Sequence, residues 1–125
     1  MVVTREEIRE RLRTESVWVT GALTPLYGVV PEETIRYVVG IWVSGNLQVT
    51  MSISFSTLKE DLTYETKFSP IPLAPTDFRQ IPEGQYSLED PFLSNAGGER
   101  LYAQAHGPVG HSVNASIAYY DDEIT

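Results

Sequence analysis

The sequence predicts an all-β fold: an antiparallel β-sandwich or jelly-roll-like barrel with one short N-terminal helix and a long proline-rich loop. Three observations lead there. Residues 47–56 alternate without a break, Leu47, Val49, Met51, Ile53 and Phe55 against Gln48, Thr50, Ser52, Ser54 and Ser56. A strict period of two belongs to a strand with one buried and one wet face. Shorter runs of the same kind recur to the end of the chain, punctuated by Gly and Pro, as in folds of many antiparallel strands. Five of the eight prolines (70, 72, 75, 82 and 91) fall in residues 69–98, where no alternation is sustained.

The elements follow in order. Thr4-Arg-Glu-Glu7 is a capping box, in which the Thr4 hydroxyl accepts from the Glu7 amide. It predicts a helix from residue 5 to about 13 whose apolar face is only Ile8 and Leu12. A helix this short is marginal alone, so it is either a peripheral lid or an arm that docks on another copy. Residues 1–15 are therefore an N-terminal arm, and residues 16–125 a single β-domain. Val17 and Val19 point one way and Trp18 the other. In residues 34–43, Ile35, Tyr37, Val39, Ile41 and Val43 line one side. Val38 and Trp42 are left on the opposite side, an apolar surplus that asks for contact from a loop, the helix or a neighbouring subunit.

A three-residue loop, Ser44-Gly45-Asn46, would pair Val43 with Leu47, Ile41 with Val49 and Val39 with Met51, so that the apolar faces coincide. A further alternation sets Leu62, Tyr64, Thr66 and Phe68 against Thr63, Glu65 and Lys67. Residues 69–98 read as a rigid extended loop, because proline fixes the backbone at low entropic cost. That loop either covers one end of its own barrel or reaches a neighbour, and Gly84 to Asp90 has the length of a further short strand. Two closing strands follow: Leu101, Ala103 and Ala105 on one face, then Val113, Ala115, Ile117 and Tyr119. Asp121-Asp122-Glu123 reads as a solvated, charged end that discourages edge pairing.

Bulk properties narrow the function. A chain of 125 residues is one domain and should bury roughly two-thirds of its unfolded surface. There is no cysteine, which excludes disulfides, thiolate metal sites and cysteine nucleophiles. No apolar run approaches the ~20 residues of a membrane span, and the first residues lack the pattern of a secretion signal; both favour cytoplasmic synthesis without membrane contact. The arginines at 5, 9, 11 and 13 balance the four glutamates of residues 1–15, so the rest of the chain carries the whole net charge of −8. Such a body repels phosphate backbones, which argues against a nucleic-acid partner.

Catalytic signals are sparse. His106 and His111 bracket a Gly-Pro-Val-Gly loop, but a metal site wants three or four ligands, and no Asp or Glu lies between Glu99 and Asp121. Ser112 next to His111 would point to the other face of a strand. Phosphate-binding loops and serine-hydrolase elbows are absent. Glu65 with Glu99 or Asp77 is the carboxylate pairing that geometry alone could test. The expectation is a non-enzyme with no cofactor and no metal. Trp18, Trp42, Tyr27, Tyr102 and Tyr120 lie in loops or opposite the main apolar alternation. Such aromatics serve protein interfaces, stack on sugars, or are buried by a second sheet.

The segments Gly97-Gly-Glu-Arg-Leu-Tyr-Ala-Gln-Ala-His-Gly107 and Ser112-Val-Asn-Ala-Ser-Ile-Ala-Tyr-Tyr-Asp-Asp122 resemble the closing hairpin of small jelly-roll-type decoration and accessory proteins of tailed phages. The resemblance covers the last quarter of the chain and carries over no functional residue. It implies a homotrimeric structural protein of the virion, made in the host cytoplasm, whose partners are its own copies and a viral capsid protein. The interface candidates are Ile8, Leu12, Trp18, Val38, Trp42, Phe78, Tyr86 and Phe92. The alternative is a cytoplasmic sandwich that binds carbohydrate or another small ligand through Trp18, Trp42 or Tyr102.

Overall fold

In the computed structural model, which describes residues 4–45, 48–81 and 91–123, two antiparallel sheets face each other across one core. The elements are α1 (Arg5–Arg11), β1 (Arg13–Val19), β2 (Thr24–Pro25), β3 (Thr34–Ser44), β4 (Met51–Leu58), β5 (Tyr64–Leu73), β6 (Phe78–Ile81), β7 (Leu93–Ala96), β8 (Arg100–His106) and β9 (Val113–Glu123). One sheet has the order β1-β9-β3-β6, with β7 also paired to β3; the other has the order β2-β8-β4-β5. The pairs β1·β9, β2·β8, β3·β6/β7 and β4·β5 are nested. The chain is thus one long ribbon, folded back on itself at residues 59–63 and rolled into two layers. The contacts β3·β9 and β4·β8 close the roll. This nesting is the jelly-roll arrangement, with its sixth strand broken into β6 and β7.

Strand β3 holds the architecture together, and a bulge shapes it. Val38 pairs with Tyr119 and Gly40 with Ala118, leaving Val39 as an extra residue. The extra residue shifts the phase of the alternation. Before it, Arg36 and Val38 face the core; after it, Ile41 and Val43 do. Tyr37, Val39 and Trp42 point outward into a second, smaller cluster with Ile8, Leu12, Ala118 and Tyr120. The expected single face of Ile35, Tyr37, Val39, Ile41 and Val43 is therefore split. Val38, with 0% of its surface exposed, belongs to the main core and is no interface anchor.

Three further expectations need correction. Strands β3 and β4 do not form a hairpin: they lie in opposite sheets, and Ile41 and Val43 share the core with Met51 and Ile53 instead of pairing with that strand. Matching apolar faces suit two strands that face each other as well as two that pair. Leu47 and Asn46, which the proposed turn needed, lie outside the described residues. Leu62 is not in a strand; it occupies a left-handed position (φ 66°) at the ribbon's fold, where the Lys59 amide donates to Thr63 O at 2.8 Å. Nor are residues 69–98 one long loop. Residues up to Leu73 continue β5, and β6 and β7 pair with successive halves of β3. Prolines sit at the edge of a sheet without breaking it, since an edge strand's outward groups need no partner. The possible strand at Gly84 to Asp90 lies outside the described residues.

Helix α1 ends at Arg11, two residues early, because Leu12 leaves the helical conformation (ψ 128°) and the chain enters β1. Thr4 caps it as expected, accepting from the Glu7 amide at 3.2 Å. At the other end Arg11 donates to Asp122 Oδ1 and to Asp121 O, both at 3.4 Å. The helix lies on its own chain, with Ile8 only 2% exposed over Val39, Ala118 and Tyr120. We expect Ile8→Ala to cost about 2 kcal/mol, the low end of core truncations, because the small cluster can loosen locally. Urea denaturation should show a lower midpoint with an unchanged slope; an unaltered midpoint would mean the helix contributes nothing to the fold.

Candidate assembly face

The outer face of the β1-β9-β3-β6 sheet is divided. One half lies under α1. The other half is built from two cross-strand rows that register fixes directly. Trp18 lies opposite Asn114, Asn114 opposite Ser44, and Ser44 opposite Phe78. In the next row Ser16, Ser116, Trp42 and Gln80 stand side by side. Trp18 and Phe78 are each 67% exposed, at opposite edges of the sheet. Between them runs a polar ladder: Ser116 Oγ donates to Ser16 Oγ at 3.2 Å, Ser16 Oγ to Asn114 Oδ1 at 3.2 Å, and Asn114 Nδ2 to Val17 O at 3.3 Å. These eight positions carry no charge, on a chain whose net charge is −8. Depletion of charge and enrichment in aromatics are the composition by which interface centres differ from other surface.

The sequence-derived candidates thus separate. Trp18, Trp42 and Phe78 share this face, with Trp42 half-buried at the border of the helix-covered part. Ile8 on α1 and Leu12 at its end belong to the small cluster between the helix and the sheet. Val38 is interior. Phe92 packs against the main core, its ring 5.8 Å from that of Phe68. Tyr86 lies outside the described residues. Among the other aromatics, Tyr27 and Tyr120 are buried. Tyr102 is half-buried on the opposite sheet, its ring 5.9 Å from that of Tyr64.

The residues considered for chemistry are engaged in structural contacts. Lys59 bridges Glu65 (3.0 Å) and Glu99 (3.7 Å), so these two carboxylates do approach one another, with an ammonium between them. Hydrogen bonds from Lys67 and Lys59 hold Glu65 below the usual carboxylate range, the opposite of what a general acid needs. Asp77 accepts from the Ala74 amide at 2.9 Å. His106 Nε2 is 3.0 Å from Ser54 Oγ, while His111 is half-buried beside Met51 and Pro108. Among the described residues, no three His, Cys, Asp or Glu side chains converge as a metal site would require.

One constellation was invisible to sequence spacing. Between the sheets, Arg36 forms a two-pronged ion pair with Asp121 (2.6 and 2.8 Å) and donates to Gly28 O at 3.3 Å. Its guanidinium stacks on Tyr27 and Tyr119, 4.7 and 4.5 Å from the ring centres. Tyr27 donates its hydroxyl to Asn95 Oδ1, and Asn95 Nδ2 donates to Thr57 Oγ1 at 2.9 Å, linking β7 to β4 in the other sheet. Two signals were there to be read. Arg36 interrupts an apolar strand, and Thr57 continues the buried face of Met51, Ile53 and Phe55. Asp121 and Asp122 are likewise part of β9, and only Glu123 matches the expected solvated end.

Comparison with protein-family models finds no match, and comparison with curated proteins finds none. Among solved structures, the chain is similar to a chain of the T13 IBDV viral particle, with a TM-score of 0.48 and 14% identity over 87% of this chain. It is also similar to a chain of the infectious bursal disease virus Gx strain, with a TM-score of 0.47 and 12% identity over 91%. The chain spans about a third of the length of those two, 31% and 32%.

The clamp makes a pH prediction. Burial raises Tyr27 well above the ordinary tyrosine value, against the opposing pull of Arg36. Burial also raises Tyr119, helped by its hydrogen bond to Glu15. A raised folded value means the native state keeps protons that the unfolded chain sheds, so stability is complete below about pH 10 and declines above it. Between pH 10 and 11 we expect a loss of roughly 1 kcal/mol from Tyr27. Denaturation midpoints should fall over that interval, and fall less in Tyr27→Phe; equal slopes in the two proteins would refute the assignment.

Proposed function

We propose that this chain is a non-enzymatic structural protein that acts by assembling with copies of itself, as a virion component of the capsid-decoration or accessory kind. The observation that carries this reading is the neutral, aromatic-edged half-face of Trp18, Trp42 and Phe78 beside a helix-covered half. The helix shows how the fold satisfies apolar surface when it has a covering element, and on the other half Trp18 and Phe78, each 67% exposed, are the side chains that a partner would cover. The resemblance of residues 97–107 and 112–122 to tailed-phage proteins adds the finer reading, a homotrimer on a capsid surface. Docking falls to this sheet face rather than to residues 69–98, whose described parts are strands of the chain's own sandwich. Native mass spectrometry at low micromolar concentration should give a trimer, weakened in Trp18→Ser. A monomer at every concentration would remove self-assembly from the reading.

A second reading rests on the same face. Trp18 and Trp42 beside the Ser16, Ser116 and Asn114 ladder offer stacking and hydrogen bonding suited to a sugar ring. It predicts glycan-array binding that Trp18→Ala abolishes, and an array without a hit would dispose of it.

A further inference from the structure

The four sheet edges are not equally protected. Strand β2 is two residues long, and β5 carries Pro70 and Pro72 within its ten residues; short strands and prolines are devices that keep an edge from pairing with another chain. The edges of the other sheet have neither device to that degree. Strand β1 presents seven residues, Arg-Thr-Glu-Ser-Val-Trp-Val, and β6 presents Phe-Arg-Gln-Ile, both without proline or glycine. Among the described residues β1 pairs only with β9 and β6 only with β3.

We infer that these two edges are complementary: β6 of one copy pairs with β1 of the next, continuing the sheet head to tail through the assembly. This inference rests on the self-assembly reading above. The direction is right, because each pairing between β1 and β6 is antiparallel, so β6 runs opposite to β1 and a neighbour's β1 set beside it in the same sense is antiparallel too. The register is set by the rows. Continuing them places Phe78 against Trp18 of the next copy, Gln80 against its Ser16, and Arg79 against its Val17. Two exposed aromatics cover each other and an amide meets a hydroxyl; Arg79, already 3.9 Å from Asp77, lies diagonal to Glu15, which falls opposite Ile81. No like charges are opposed. A two-fold pairing of β1 with its own copy is poorer. Centred on Ser16, it sets the two Glu15 side chains diagonal to one another and leaves Phe78 uncovered. A head-to-tail contact closes into a ring when its rotation permits, which accords with a trimer.

The absence of cysteine makes the test clean. Ser16→Cys combined with Gln80→Cys puts thiols at directly opposed positions, roughly 4.5–5.5 Å apart between Cα atoms, within disulfide reach. After mild oxidation the double variant should give covalent oligomers on a non-reducing gel, up to the size seen by native mass spectrometry. The two single variants should stay uncross-linked alone and yield covalent dimers when mixed. Trp18→Cys with Phe78→Cys is the second opposed pair, should the first disturb folding. Oligomers in native mass spectrometry without specific cross-linking would overturn the edge pairing and leave self-assembly standing. Monomers throughout would overturn both. A covalent dimer from Ser16→Cys alone would replace the head-to-tail contact with a two-fold one.

Discussion

Everything outside the core depends on one inserted residue. A strand whose side chains alternate regularly can serve one buried face. Strand β3 serves two, because Val39 is accommodated as a bulge opposite the Val38–Gly40 step. Without that phase change, Ile41 and Val43 would face outward while Val38 faced in, and the strand could not complete the main core. With it, Tyr37, Val39 and Trp42 form the floor on which α1 lands. The bulge therefore fixes where the helix lands on the sheet. A glycine follows it at position 40, where the chain is buried between strands.

The second constraint is polar. Packing two sheets face to face leaves their relative position to side-chain shape, which apolar residues specify loosely. Tyr27, Asn95 and Thr57 add directional bonds between β7 and β4, and all three are buried. Losing any partner would strand the others without water. Arg36 and Asp121 tie β3 to β9 inside the same region, with two tyrosine rings shielding the guanidinium. Such a network sets the register of the sandwich more firmly than it raises its stability.

How much of this was legible depends on whether the signal was local. The alternations of β1, β4, β8 and β9 gave their faces correctly, and the capping box at Thr4 placed the helix start. Alternation says nothing about which strands pair. That is why residues 34–56 read as a hairpin although β3 and β4 occupy different sheets. Proline density hid the end of β5, since edge strands tolerate residues that interior strands reject, while β6 and β7, of four residues each, are too short to sustain an alternation. For the candidate face, Trp18, Trp42 and Phe78 could be named from their positions, but only the pairing of β1, β9, β3 and β6 puts them on one surface. Val38 was misplaced because a bulge leaves no mark in composition.

The nested ribbon also governs how the chain can reach this state. Arg13 pairs with Tyr119 and Val19 with Val113, so β1 has no neighbour in its sheet until nearly the whole sequence has been made. The pair closed by the shortest loop is β4·β5 around the turn at residues 59–63, and each pair outside it in the nest spans a longer one. Folding should therefore proceed from the middle outward and slowly, as topologies dominated by distant pairings do. During synthesis, the residues that carry Trp18 wait unpaired for their partner strand. An unpaired strand of this kind must be kept from finding the wrong partner meanwhile, and the balanced charges of residues 5–15 are well placed to hold it in solution.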